Sequence, residues 1–295
     1  MQIGIMGAMP EETSATASLL DGVSSESHGG RTYARGSLRG HDVVCVHARV
    51  GKVAAAVTAT ELIVRFGIDR LLFTGLAGAL VPELRVGDVV VADGLVQHDM
   101  DASPLFPPLE VPLTGVSRFL ATPAIAADLT RAAEEAMLDL DGGLRDALGT
   151  QQPAPHRAGA VVRGDIATGD RFVGSGPVRD AVLSLVPGAV CVEMEGAAVA
   201  QVCHDYGVPF GVVRVISDHA DGSAATDFFT AAPRAGGGVL RGSGRAAPRP
   251  LGGRGALIPV PAIGLTTRRP SRRACGACRR NGWRSRPRCR TSSPP

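Results

Sequence analysis

Three carboxylates stand where apolar, β-branched runs of the chain stop. Ala189–Val192 reads as a buried strand that gives way, through Glu193 and Glu195, to a helix over Gly196–Tyr206. Gly211–Ile216 reads as the next buried strand, with Asp218 at its exit. The carboxyl ends of parallel strands are where an open α/β sheet collects its ligand. Acids are rarely buried without a partner, so three at strand ends point to gripping hydroxyl groups or moving protons.

Five strand ends gather such residues: Gly7–Glu12, Gly75–Gly78, Gly169–Val173, Glu193–Glu195 and Ser217-Asp218. Together they offer carboxylates, the arginine Arg214, the aromatic Phe172, the methionines Met9 and Met194, and exposed backbone. Arg214 lies inside an apolar strand, where a guanidinium needs a partner. No Walker-type phosphate loop is present, and Gly4-x-x-Gly7 is not the dinucleotide fingerprint, so no nicotinamide cofactor is expected. No His/Asp/Glu cluster has metal-ligand spacing. His98-Asp99-Met-Asp101 reads as a polar loop, and the expectation is a site with neither cofactor nor metal.

The elements that must position these groups follow from hydrophobic pattern and punctuation. Gln2–Met6 reads as a strand, and Pro10, with Glu11 and Glu12 in the first turn, opens a helix to about Leu20. Arg31–Leu38 and Asp42–Ala48 read as strands paired around Arg39-Gly40. Val53–Phe66 is an apolar helix, and Arg70–Phe73 a short strand before Thr74-Gly-Leu-Ala-Gly78. Gly87–Ala92 and Leu95–His98 are strands, Ser103–Gly115 a loop, and Thr122–Leu138 a helix capped by Thr122. Asp139–His156 reads as a loop insertion, Ala158–Ile166 as a strand and Val178–Leu185 as a short helix. Short continuous apolar strands alternating with helices predict an α/β/α sandwich around a mostly parallel or mixed sheet.

Charge divides the chain in two. From Ala231 to Pro295 there are fifteen arginines and no acid, against a net charge of −12 for residues 1–230. An acidic body is not that of a nucleic-acid binder, so no specific nucleic-acid partner is expected. Residues 231–295, rich in Arg, Pro and Gly, have the composition of a disordered tail. That composition is equally that of GC-rich DNA read in a shifted frame, which the gene sequence around codon 231 tests. Cys275-x-x-Cys278 with Cys289 lacks a second regular pair and is a weak zinc signal. No run reaches the roughly 18 apolar residues of a membrane span. Met1–Gly7 lacks a charged leader region, and Cys45, Cys191 and Cys203 lie in apolar segments, so a cytoplasmic protein is expected.

Acids and a flat aromatic without metal or cofactor fit cleavage of an N-glycosidic bond. Its transition state resembles an oxocarbenium ion; one acid protonates the leaving base, another activates water, and a third grips ribose hydroxyls.

The motifs Gly4-Ile-Met-Gly-Ala-Met-Pro-Glu-Glu12, Gly51-Lys-Val-Ala-Ala-Ala56, Thr74-Gly-Leu-Ala-Gly78, Val86-Gly-Asp-Val-Val90, Thr168-Gly-Asp-Arg-Phe172, Val192-Glu-Met-Glu-Gly196 and Val213-Arg-Val-Ile-Ser-Asp218 occur in one order over residues 1–230. This stretch resembles the 5′-methylthioadenosine/S-adenosylhomocysteine nucleosidases of the purine nucleoside phosphorylase superfamily. The resemblance implies a nucleoside phosphorylase-like catalytic domain over 1–230 and the following roles. Asp218 protonates N7 of adenine, with Ser217 orienting it. Glu12 activates water, with Arg214 nearby. Glu195 holds ribose hydroxyls, Met194 packs on the sugar, and Glu193 supports that end of the site. Phe172 stacks on adenine and the Val173 backbone reads its edge. Met9, Val50 and Phe228 line the alkylthio pocket, which the loop Ala102–Leu113 of a partner subunit closes, implying a homodimer.

Each assignment has a plainer counterpart: Glu12 as a helix-dipole partner, Asp218 as a turn cap, Phe172, Met9 and Met194 as ordinary core. The chain also departs from the family. Leu76 replaces a small polar residue near the attacking water, and the 102–113 loop has little aromatic character beyond Phe106. Past Phe228, Pro233 and Gly236–Gly238 interrupt the usual terminal helix, so a complete site with reduced stability is expected. Rival readings are a phosphorylase of the same fold, a hydrolase of futalosine or AMP, and a nucleoside-binding protein without activity.

Overall fold

The structure is a computed structural model that describes residues 1–148 and 159–231, all within one unit, Met1–Leu265. The arginine-rich tail and its Cys275-x-x-Cys278 therefore lie outside the described residues.

The chain alternates strands and helices: β1 (Gln2–Gly7), α1 (Pro10–Ala17), β2 (Asp21–His28), β3 (Arg31–Leu38), β4 (His41–His47), α2 (Lys52–Val64), β5 (Arg70–Ala79), β6 (Val89–Gln97), β7 (Phe119–Leu120), α3 (Pro123–Leu148), β8 (Val161–Thr168), α4 (Gly176–Leu185), β9 (Ala189–Glu193), α5 (Gly196–Tyr206), β10 (Phe210–Asp218) and α6 (Ala224–Ala231). All ten strands belong to one mixed sheet, as expected.

β5 is its centre. It pairs in parallel with β1 and β10, and β1 continues through β4 and β3 to the edge strand β2. On the other side β10 pairs with β6, β6 with β8, β8 with β9, and β9 returns antiparallel to β5. Five strands thus close on themselves while the β1–β4–β3–β2 wing stays open. The sequence does not foretell this closure, because pairing order is not written in hydrophobic periodicity.

Alternation along each strand sends side chains to two helical layers, as an α/β/α sandwich requires. Ile3, Ile5, Val43, Val91 and Val213 pack with Ile125, Leu129 and Ala133 of α3. Met6, Val44, Val46, Leu71 and Phe73 pack with Ala55, Ala59 and Leu62 of α2 and Val199 and Cys203 of α5. Each fully buried aliphatic side chain contributes about 1.5–3 kcal/mol. Gly207, at φ 66°, ends α5 in the left-handed turn that glycine favours.

Several boundaries differ from the sequence reading, each for a physical reason. β2 escapes that reading because Asp21–His28 is a polar, largely exposed edge strand with no apolar face. β5 runs on through Thr74–Ala79, where glycines suggest a break, because β10 pairs along it to Gly78. Two predicted strands over 87–98 form one, β6, with a register shift between Ala92 and Gly94. α3 extends to Leu148, into the expected loop: Gly142 and Gly143 cost about 1 kcal/mol each, less than it takes to stop a helix already nucleated.

Candidate active site

The first strand end shows how local sequence fixes a buried carboxylate at the cavity. The chain leaves β1 in an extended conformation at Met9, and Pro10 starts α1. The first N–H groups of a helix have no partner of their own. Glu12 turns back to the backbone that enters the helix: its Oε2 accepts from the N–H of Ala8 (2.5 Å) and of the N-cap Met9 (2.9 Å). Its Oε1 reaches across to the N–H of Leu76 at 3.1 Å. Glu12 is therefore the helix-dipole partner of the plainer reading and also a carboxylate fixed between β1 and β5. Burial pushes its carboxyl above the usual carboxylate value, while Arg214 and the three N–H groups pull it back toward ionisation.

Arg214 sits 1% exposed in β10, opposite Gly75 of β5. Its guanidinium lies over the Phe73 ring, 4.0 Å from the centroid, and donates from Nη2 to Glu193 Oε2 at 2.6 Å. Burial works against its charge, but Glu193 and Glu12 outweigh that and hold it protonated. Gly75 is what allows this crowding. A Cβ there would stand 2.8 Å from Glu12 Oε1 and 3.1 Å from Arg214 Nη1.

Glu193 is saturated. Beyond Arg214 it accepts from the N–H of Glu195 (3.1 Å), from the N–H of Gly196 (2.8 and 2.9 Å) and from the Thr168 hydroxyl. It closes the N-terminus of α5 and anchors Arg214. Glu195, also buried, accepts at Oε1 from the Gly51 N–H at 2.8 Å. Burial, then the charge of Glu193, pushes its carboxyl up to about 8, against the pull of Gly51 and Arg214. Such a group exchanges a proton near neutrality and can accept from or donate to a hydroxyl.

Asp218 ends β10 beside Gly78 of β5, where a Cβ would lie 2.8 Å from its Oδ1. Oδ1 accepts from the Ala220 N–H (2.9 Å), the turn cap of the plainer reading, and Oδ2 from the Ser217 hydroxyl (2.8 Å). Burial raises its carboxyl above the ordinary aspartate value despite both bonds. A carboxyl raised in this way gives up its proton less readily, the direction a general acid requires.

These groups meet at one cavity of about 390 Å³. Met9, Glu12, Val50, Phe172, Val173, Glu193, Met194, Glu195, Ser217, Asp218 and Phe228 all line it. Arg214, expected beside Glu12, does not; it lies behind the carboxylates. Phe172 is 46% exposed, so it is not ordinary core, and it meets Phe228 edge-on with centroids 6.3 Å apart. No residue of the 102–113 loop lines the cavity, and Leu105 and Leu113 of that loop are exposed.

Some lining residues carry no sequence signal of their own. Arg171 belongs to the Gly169–Val173 strand end, where the sequence assigns it no role, and Ala225 comes from α6, whose register the sequence does not show. Asp99, in the polar loop with His98, pairs with Lys52 Nζ at 2.6 Å and accepts from the Asp170 N–H. Among the described residues no group of three or more His, Cys, Asp or Glu is placed to hold a metal.

Comparison with known proteins accords with this geometry. The Phosphorylase superfamily model matches residues 2–240. The 5′-methylthioadenosine/S-adenosylhomocysteine nucleosidase of Shewanella baltica is 35% identical over 237 residues, covering 80% of this chain and 92% of that protein. The nucleosidase of the same name from Colwellia psychrerythraea, solved in complex with adenine, superposes with a TM-score of 0.67 at 33% identity, covering 78% of this chain and 87% of that one. The futalosine hydrolase of Helicobacter pylori superposes with a TM-score of 0.65 at 33% identity, covering 78% and 90%.

Proposed function

Because the chain belongs to the 5′-methylthioadenosine/S-adenosylhomocysteine nucleosidases of the phosphorylase superfamily, we propose that it hydrolyses the N-glycosidic bond of those two nucleosides, as an N-glycosyl hydrolase. The products are adenine and the 5-thioribose sugar. The observation that carries this reading is the arrangement of Glu12, Glu195 and Asp218 around one cavity whose lining also holds Phe172 and Phe228.

Adenine then stacks on Phe172 and the Val173 backbone reads its edge. Protonated Asp218, oriented by Ser217, gives its proton to N7. The C1′–N9 electron pair passes to the base and the sugar becomes oxocarbenium-like. Glu12 takes a proton from water, and the resulting hydroxide oxygen bonds to C1′. Glu195 holds the ribose hydroxyls, Met194 packs on the sugar and Glu193 keeps Arg214 in place. Met9, Val50 and Phe228 face the alkylthio group.

Hydrolysis is favoured over phosphorolysis by charge. Phosphate needs cations and free donors. Arg214 is already matched to Glu193, and the N–H groups at the end of β1 are taken by Glu12. Arg171, the cation in the lining, comes from the loop that carries Phe172. Measuring the rate with and without inorganic phosphate tests this: hydrolysis requires no dependence, and a rate that vanishes without phosphate contradicts it. Futalosine is the second reading, favoured by the low aromatic content of the 102–113 loop and by the likeness to a futalosine hydrolase.

The working unit is a homodimer in which the partner's 102–113 loop closes the alkylthio end, since that loop stays off its own chain's cavity. A reducing, cytoplasmic location fits the free, buried thiols of Cys45, Cys191 and Cys203. No helix of the described residues is long and apolar enough to cross a membrane.

A further inference from the structure

Arg31, the first residue of β3, is 8% exposed, and among the described residues no ion pair includes it. Its three nitrogens each take a carbonyl: Nε that of Ala48 (3.2 Å), Nη1 that of Gly29 (2.9 Å), Nη2 that of Ala54 (3.2 Å). A buried cation without a counter-charge is costly, so the three carbonyls must be held for a reason.

Ala48 follows the end of β4, and Ala54 lies in the first turn of α2. Between them runs the segment Arg49–Val53. Val50 of this segment lines the cavity, and the Gly51 N–H is the donor that Glu195 accepts. The backbone here is unusual: φ is 78° at Arg49 and 100° at Gly51. A non-glycine residue in the left-handed region is strained and persists only where its surroundings over-determine it. Here they do. Ala48 and Arg49 donate their N–H groups to Gly7 and Ala8, the Arg49 guanidinium donates to Gly30, and the Lys52 N–H donates to Asp170. The Arg31 guanidinium bridges the two ends of the segment.

We propose that Arg31 is a positioning residue for the ribose-binding carboxylate: by clamping the carbonyls of Ala48 and Ala54 it holds the Gly51 N–H on Glu195. The inference rests on the reading of Glu195 given under Proposed function. Arg31 acts only through the Gly51 backbone. Lysine is no substitute, because a single ammonium lacks the planar fork that spans separated acceptors. The charged groups that face Glu195 are Glu193 from β9, Arg214 from β10 and Glu12 from α1. None of them is touched by changing Arg31, so an altered Glu195 reports the loss of Gly51.

The experiment compares Arg31→Met and Arg31→Lys with the unaltered full chain. The Gly51 amide resonance is followed by NMR against pH, and KM and kcat are measured with 5′-methylthioadenosine. In the unaltered chain the amide follows the ionisation of Glu195 near about 8. In both variants its response to pH falls by about half or more, and the midpoint moves up by about one unit, because a donor to the charged form has been removed. KM rises about tenfold with kcat within about threefold, the pattern of lost binding common to ground and transition states. Arg31→Lys keeps the charge and decides the matter if Arg31→Met does not fold. A folded variant that melts lower but keeps the Gly51 response and KM overturns the proposal, since that is the result of a purely structural role. An unaltered chain that turns over no substrate, with the Gly51 amide behaving as described, overturns the functional reading and leaves the clamp standing.

Discussion

Gly75 faces Glu12 so closely that a single methyl on its Cα would stand 2.8 Å from Glu12 Oε1. Glycine in the interior of a strand weakens it, and this one lies in the central strand of the sheet. Its presence is explained by the space that Glu12 and Arg214 share in front of it.

Gly75→Ala is therefore expected to displace Glu12, the proposed base, rather than unfold the sheet. A misplacement of about 1 Å can cost on the order of 10²-fold in rate. The kcat should fall by about that factor while the melting transition changes little. An alanine variant with unaltered kcat would mean that Glu12 is not the base.

Glu195 links the site to pH. Its carboxyl, raised to about 8 from an ordinary 4.5, keeps in the folded chain a proton that the unfolded chain gives up. Stability from this group is fully present below about 4.5 and is lost as pH rises toward and through about 8. Glu195→Gln cannot lose a proton there. Its melting temperature should gain on that of the unaltered chain steadily over this range, at the expense of substrate affinity. A constant difference between the two would show that burial does not perturb Glu195.

The elements that carry the site are legible in the sequence because they are buried. β1 and β9 are short, mainly apolar runs, β10 is apolar as far as Ile216 but for Arg214, and α5 opens on the apolar stretch Gly196–Ala200; the strand ends bring the expected carboxylates to one cavity. What cannot be read depends on pairing. The closure of β5, β10, β6, β8 and β9 is set by register between distant segments, and with it the placing of Arg214 behind Gly75. Polar β2 leaves no pattern, and Arg31 gives no sign of bridging two backbone segments because its partners are carbonyls, which any residue type offers.

The buried pair of Arg214 and Glu193 should dominate the local energetics. Removing one partner of a buried pair leaves an uncompensated charge and costs about 3–5 kcal/mol. Arg214→Met is expected to lose that much in urea denaturation, and adding Glu193→Gln should recover a large part. If the double variant is no more stable than the single one, the pair is not the reason Arg214 is tolerated in β10.

The exposed 102–113 loop makes the proposed dimer testable. Leu105 and Leu113 are 83% and 90% exposed. Leu105→Asp with Leu113→Asp should give a folded monomer in sedimentation, with KM for 5′-methylthioadenosine raised about tenfold by loss of the pocket's closing wall, a shift of about 1.4 kcal/mol. A dimer that survives both changes, or a monomer with unaltered KM, would count against closure by the partner loop.

If Asp218 and Glu12 together hydrolyse a purine nucleoside, adenine release from 5′-methylthioadenosine in phosphate-free buffer shows it most directly. Adenine and free methylthioribose should appear in equal amounts. Asp218→Asn, still folded, should lower kcat by about 10²–10⁴-fold, the range for a lost general acid. A folded sample that releases no adenine, or an Asp218→Asn variant that releases it at the original rate, would contradict these roles.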